Sequence, residues 1–339
     1  MFFNTARTVQ TEPGFIVGPI SNLLGFVLDF IFNITSSISM PLALGLSIIV
    51  FTIVIRVLLL PLAIKMHKNM EKMRALKPQM DIINAKYAGK KDAETTRQKN
   101  IEIQKMYAES GANPLSGCLP ALLQMPIFIT LFAMFQRPYM YISQLGDIYN
   151  RIAEQVMQVP GYYSIIANTP SIGLDKLPNN INLDLAYASE LMRLFNVYTP
   201  TDWDTLLYVM PNQYLNYDYV IYLLAQKDIM EHFLTISLAA PAGLLLPGVI
   251  LPIVSALSTF FTSKLMAKQQ PMGGDQAAVA MQQKTFLYAM PVMMGAITIT
   301  APAGVGLYWV VSNVFHLCQH VILTKISSKK EQSKEVTIE

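Results

Sequence analysis

Arg56 lies inside an apolar run, Pro41 to Ile64, that contains no Asp or Glu. A lone cation at the centre of a bilayer costs about 2.5–3.5 kcal/mol on insertion scales. The side chain is therefore expected to face water or a partner rather than lipid tails. Its chemistry would be electrostatic, because a guanidinium stays charged, offers a planar fork to carboxylates and is a poor general base. Thr52 lies one turn earlier on the same face. Gln124, Thr259, Thr262, Ser263 and Trp309 are further polar groups inside apolar runs. Two readings are open for them: hydrogen bonds between neighbouring helices, or the lining of a hydrated groove. For Arg56 the plain alternative is a cation satisfied by backbone carbonyls or by polar groups such as Gln124. Trp309 is either an interfacial aromatic or, lying about seven residues into its run, an interior one.

No other constellation carries chemistry. His316 and His320, four residues apart with Cys318 between them, have a spacing that can hold zinc, but no third ligand or HExxH glutamate accompanies them. Packing at a helix end is the expected role, and no metal or cofactor is expected. There is no phosphate-binding loop and no serine–lysine or serine–histidine arrangement, so the chain is not expected to be an enzyme. Cys118 and Cys318 do not form a disulfide framework.

The elements that must position these residues are apolar helices. Hydrophobic residues make up 53% of the chain and charged ones 14%, a balance wrong for a soluble domain and right for a polytopic membrane protein. Five runs approach the roughly 20 residues a span needs: 41–64, 117–137, 245–266, 285–300 and 303–323. The last two are separated by Ala301-Pro302 and predict a tight hairpin, 285–323. Pro120, Pro126, Pro291 and Pro302 are expected to kink spans or open turns. Residues 65–110 carry eleven Lys and Arg against six acids, whereas 137–244 carry five against ten. By the positive-inside rule, segment 65–116, loop 267–284 and tail 324–339 are cytoplasmic, and segment 138–244 lies outside. The predicted fold is an all-α integral membrane protein of five transmembrane helices, N-terminus outside and C-terminus inside. The first residues lack the charged, apolar, small-residue order of a cleaved leader, so none is expected.

Residues 1–40 form an N-terminal tail and a helix. Across 14–36, Gly18, Asn22, Gly25, Asp29 and Asn33 make a small or polar stripe on an otherwise apolar helix. It either lies at the outer interface, the reading preferred here, or spans. Segment 65–116 predicts a helical hairpin. Met66, Met70, Met73, Met80, Ile83 and Tyr87 form one apolar stripe on its first arm. Pro78 should kink that arm, Gly89 should stop it, and Lys90-Lys91-Asp92 should turn it. The second arm runs from about Ala93 to Ser110 and ends at Gly111. The hairpin is either a solvated connector or a Met-lined arm suited to promiscuous apolar contacts. Segment 138–244 predicts short helices at 186–197 and 218–235.

Residues 76–91 (LKPQMDIINAKYAGKK), 107–132 (YAESGANPLSGCLPALLQMPIFITLF) and 288–315 (YAMPVMMGAITITAPAGVGLYWVVSNVF) resemble the YidC/Oxa/Alb family of membrane protein insertases. With Arg56 the likeness covers 41–137 and 245–323, in order, and is nearest to the bacterial, Gram-positive-type members without a large periplasmic domain. Segment 138–244 is longer than the compact members lead one to expect. The resemblance implies a bacterial plasma-membrane protein with a hydrophilic groove open to cytoplasm and lipid and closed to the outside. It implies that Arg56 and Trp309 line that groove and that the 65–110 hairpin captures substrate. The implied partners are nascent membrane proteins and lipids, with the Sec translocon, the signal recognition particle pathway and the ribosome as further partners. No nucleic-acid sequence recognition is implied, and the mixed-charge tail predicts weak ribosome contact at most. A rival reading, a secondary transporter or channel, is disfavoured by the absence of carboxylates in the five runs and of an evident internal repeat.

Overall fold

The computed structural model describes residues 17–89, 92–113, 119–173, 187–267, 281 and 284–336. The expected Lys90-Lys91 turn, Cys118 and nearly all of loop 267–284 lie outside the described residues. The chain divides into two compact units: residues 1–48 with 130–240, and residues 49–129 with 241–339.

The first unit contains helix α1 (Val17–Ile38), a 3-10 turn at Met40–Leu42 and the start of α2 (Ala43–Leu58). It also holds the end of α6 (Leu119–Gln136), then α7 (Ser143–Met157), α8 (Tyr162–Ala167), α9 (Ala188–Phe195), α10 (Pro200–Val209) and α11 (Tyr217–Glu231). A two-residue antiparallel pair, β1 (His232–Phe233) with β2 (Ile236–Ser237), closes it, with His232 opposite Ser237. The expected helices at 186–197 and 218–235 correspond to α9 and α11; α7, α8 and α10 were not foreseen. Helix α7 buries Leu145, Ile148, Tyr149, Ile152 and Val156, one face at helical spacing. Phe195, Tyr198 and Trp203 stack into an aromatic trio with centroids 5.0–5.3 Å apart.

The small and polar stripe of α1 is packed in part: Gly18 and Gly25 are buried and Asp29 half-buried, while Asn22 and Asn33 are exposed. A Cβ on Gly25 would stand 2.6 Å from the Tyr141 ring. Asp29 Oδ1 accepts hydrogen bonds from the Ser143 amide and hydroxyl, both at 2.7 Å. Asn33 Oδ1 accepts from Gln144 Nε2 at 2.7 Å. Asp29 thus caps the first turn of α7 from another helix, where Ile142 at the cap position has no side-chain acceptor to offer. Leu23, Phe26, Phe30, Ile34 and Ile38 remain exposed on α1, Phe26 by 69%. Asp29→Ala should destabilise this unit by about 1–2 kcal/mol, read as a lower thermal midpoint of the detergent-solubilised chain. Asp29→Asn, which keeps an acceptor, should lose less, and an unchanged midpoint in Asp29→Ala would remove the cap from the account.

The second unit continues from α2 into α3 (Leu60–Ala75), α4 (Lys77–Lys86), α5 (Ala93–Ser110) and the start of α6. It resumes with α12 (Ile250–Ala267), a π-helical turn at Thr285–Ala289, α13 (Met290–Thr300) and α14 (Ala303–Val336). The expected run 41–64 is interrupted at Leu59. Pro61 has no N–H for the carbonyl of Val57, so the ladder breaks there. The next break, at Leu76, falls just before Pro78. Gly89 (φ 80°) and Gly111 (φ 60°) take the left-handed conformation that ends helices cheaply, and Asp92 Oδ2 caps α5 by accepting from Thr95 N at 2.8 Å.

Helices α4 and α5 lie against each other. Met73, Leu76, Met80, Ile83, Ile103, Met106 and Tyr107 form one buried cluster with Tyr87 packed beside it. Lys86 Nζ lies 3.0 Å from both Glu102 carboxylate oxygens. The methionine stripe therefore points inward. Met70, Met73, Met80 and Ile83 are buried, Met66 and Tyr87 half-buried, while Ile82 and Ile101 stand exposed. Met73, Met80 and Ile83 of the stripe thus belong to the core shared with α5, and Met66 and Met70 lie outside that cluster.

Three stretches are long and apolar enough to cross a membrane by length and composition: Gly18–Ile38, Met40–Leu58 and Ala303–Ile326. Gln124–Gln136, Ile250–Met266 and Thr285–Thr300 are shorter apolar helices. The expected spans at 117–137, 245–266 and 285–300 thus correspond to shorter helices among the described residues, and the helix at 14–36 is one of the long ones. Helix α12 is inverted relative to a soluble helix. Ile250, Ile253, Val254, Leu257 and Phe261 are exposed, while Ser255, Ser258 and Thr259 are buried. Apolar side chains outside and polar ones inside suit lipid as the surrounding solvent.

Candidate functional site

Arg56 occupies the last turn of α2, where the helix dipole favours a cation. Its half-buried guanidinium is held through all three nitrogens. Nε donates to Ser312 Oγ (3.3 Å) and Nη2 to Gln124 Oε1 (2.9 Å). Nη1 lies 2.8 Å from His316 Nε2. Gln124 in turn donates through Nε2 to the Tyr308 hydroxyl at 2.8 Å, which fixes its oxygen toward the arginine. The acceptors come from α6 and α14, and all are neutral oxygens or an imidazole. Among the described residues no carboxylate pairs with Arg56. The cation is hydrogen-bonded but not neutralised, so an anion entering this site would gain attraction that the resident groups do not supply.

A second polar cluster joins α12 to α14. Trp309 Nε1 donates to Thr259 Oγ1 at 2.8 Å. The Asn313 amide lies 3.0 Å from Ser258 Oγ and 3.1 Å from Thr259 Oγ1. The Trp309 ring meets Phe128 of α6 edge-on at 5.7 Å. Close approach of the helices is set by small residues: a Cβ on Gly306 would fall 2.4 Å from Thr298 Cγ2.

Of the expected site residues, Arg56 and Gln124 bond each other directly, and Trp309 and Thr259 do likewise. Thr52 is fully buried one turn before Arg56. Thr262 bonds back to the Ser258 carbonyl at 2.9 Å, and Ser263 is half-buried; neither is hydrogen-bonded to Arg56. Tyr308, Ser312, Asn313 and His316 were missed. Their signal was present in the sequence: Tyr308, Ser312 and His316 are spaced by four along one apolar helix, and Trp309 with Asn313 repeats the interval on the adjacent face. His316 and His320 are used separately, the first against Arg56 and the second edge-on to His67 at 6.0 Å.

Outside the apolar helices, the first unit buries a charge network centred on Glu231. Glu231, the last residue of α11, accepts from Lys227 Nζ at 2.7 Å and from the Tyr149 hydroxyl at 3.0 Å. Burial and the neighbouring carboxylate hold the Tyr149 phenol well above its ordinary range.

The inverted α12, the long apolar stretches and an arginine held by neutral acceptors mark a polytopic helical membrane protein with a polar interior site. The chain matches the family described as 60Kd inner membrane protein over residues 35–182 and 188–331. It belongs to that family, the YidC/Oxa/Alb family, and is a multi-pass protein of the bacterial plasma membrane. It is 26% identical over 270 residues to the membrane protein insertase YidC of Oceanobacillus iheyensis, covering 80% of this chain and 70% of that one. It is 27% identical over 278 residues to YidC 2 of Listeria innocua, covering 82% and 63%. It is 26% identical over 275 residues to the insertase MisCA of Bacillus subtilis, covering 81% and 68%. The chain thus spans less than two thirds of the Listeria relative's length.

Proposed function

We propose that this chain is a membrane protein insertase and chaperone without catalytic chemistry of its own. Inserting an apolar substrate helix is downhill; the costly step is carrying its polar flank across hydrocarbon. A hydrated groove reaching Arg56 shortens that path, and the guanidinium attracts acidic residues in the flank. The observation that carries this reading is the arginine held by three neutral acceptors and no carboxylate in a chain of this family. In the same reading Thr52, Gln124, Thr259, Thr262, Ser263 and Trp309 line or brace the groove. The α3–α5 hairpin lies in the cytoplasm and opens to receive apolar segments, α1 rests at the outer interface, and residues 138–244 lie outside. Nascent membrane proteins and lipids are the partners; the Sec translocon, signal recognition particle pathway and ribosome would deliver or share substrates.

The reading is tested by reconstituting the purified chain in liposomes and offering a single-span substrate with a short acidic tail. Protease protection should report insertion several-fold above protein-free liposomes, with no substrate-independent ion flux. Ion or solute flux without insertion would replace the insertase by a transporter or channel.

A further inference from the structure

His316 sits one turn after Ser312 on α14, and the two side chains grip Nη1 and Nε of the same guanidinium. Arginine nitrogens only donate, so the imidazole nitrogen 2.8 Å away must present a lone pair. The ring is therefore neutral, with its proton on Nδ1. An imidazolium here would set two cations in contact in a half-buried site. Gln124 holds Nη2 from the opposite side and is itself oriented by Tyr308. Three acceptors on three nitrogens fix the plane of the guanidinium. Without His316, the long 3.3 Å bond to Ser312, the bond to Gln124 and the Tyr308 hydroxyl remain, none of them on the His316 side of Nη1, and the group can re-aim.

We propose that His316 is a positioning residue. As a neutral acceptor it holds the Arg56 fork in the orientation that receives a substrate carboxylate, and so sets this chain's preference for acidic over neutral translocated tails. The proposal rests on the insertase reading above and names a residue that determines selectivity within it. Ser312, His316 and Gln124 engage three of the five donors and the Tyr308 hydroxyl is a further partner, so an incoming anion meets one remaining N–H, whose direction the fixed plane sets.

The test uses the full-length chain in liposomes with two single-span substrates that differ only in tail charge, two Asp against two Asn. The readout is the ratio of acidic-tail to neutral-tail insertion. His316→Leu should lower that ratio by roughly tenfold, the scale of one lost bond to a charged group. His316→Gln, which restores a neutral acceptor, should keep it within about threefold of the parent. His316→Met serves in place of His316→Leu if the latter does not assemble as a single species in detergent. An unchanged or increased ratio in His316→Leu would overturn the proposal, and so would an equal loss in His316→Gln, which would mark a packing role. Arg56→Ala runs alongside. If it abolishes the preference while His316→Leu does not, only this inference fails. If Arg56→Ala leaves the preference intact, the insertase reading of the site fails and takes this one with it.

Discussion

Arg56→Ala should lower insertion of an acidic-tailed single-span substrate by about 10–100-fold, the range of one or two lost charge-assisted hydrogen bonds. The effect should shrink as acidic residues are removed from the tail, because the lost attraction is electrostatic. Folding should survive. The substitution removes a half-buried cation from apolar surroundings, and Gln124 keeps its bond to Tyr308. Arg56→Lys separates charge from shape. Lysine retains the charge but not the planar fork that reaches Ser312, His316 and Gln124 together. It should fall between the parent and alanine, roughly threefold to tenfold below the parent. Full insertion by Arg56→Ala would end the account of this residue as an anion receiver. Full insertion by Arg56→Lys would reduce its contribution to charge alone.

Glu231→Ala should destabilise the first unit by about 3–5 kcal/mol. Glu231 is buried at the C-terminal end of α11, where the helix dipole disfavours an anion. It persists because Lys227 and the Tyr149 hydroxyl both bond it. Truncation leaves Lys227, whose side chain is only 14% exposed, without its counter-charge. Replacing Lys227 and Glu231 together by Met and Leu should cost less than Glu231→Ala alone, since no charge is then stranded. Thermal unfolding of the purified variants checks both statements. A double variant less stable than the single one would show that the pair contributes net attraction rather than mutual compensation.

Much of the helical frame was legible along the chain. In the hairpin the Pro78 kink, the Gly89 stop and the Gly111 end were readable because their effects are local: a missing N–H and a left-handed backbone; Asp92, read as part of the turn, proved to be the cap of α5. The stripe of Gly25, Asp29 and Asn33 on α1 was also visible, but its use was not. It docks against Tyr141, Ser143 and Gln144, more than a hundred residues away, and periodicity alone cannot tell a wetted face from a packed one. The methionine stripe shows the same limit. Its spacing announced one apolar face, and only the neighbouring α5 decided that this face turns inward. Helices α8 and α10 are short and carry little period of their own, whereas the face of α7 formed by Leu145, Ile148, Tyr149, Ile152 and Val156 was present in the sequence and went unread.

What the sequence determined by itself was the solvent and the anomaly: apolar runs that need lipid, and a cation inside the first of them with no acid in the same run. Both follow from composition along a single segment. What only the tertiary structure decided was the company of Arg56. Gln124, Ser312 and His316 lie 68, 256 and 260 residues away, on helices whose facing sides are set by packing. That arrangement makes the guanidinium hydrogen-bonded yet unneutralised, because its acceptors are neutral groups and none among the described residues is a carboxylate.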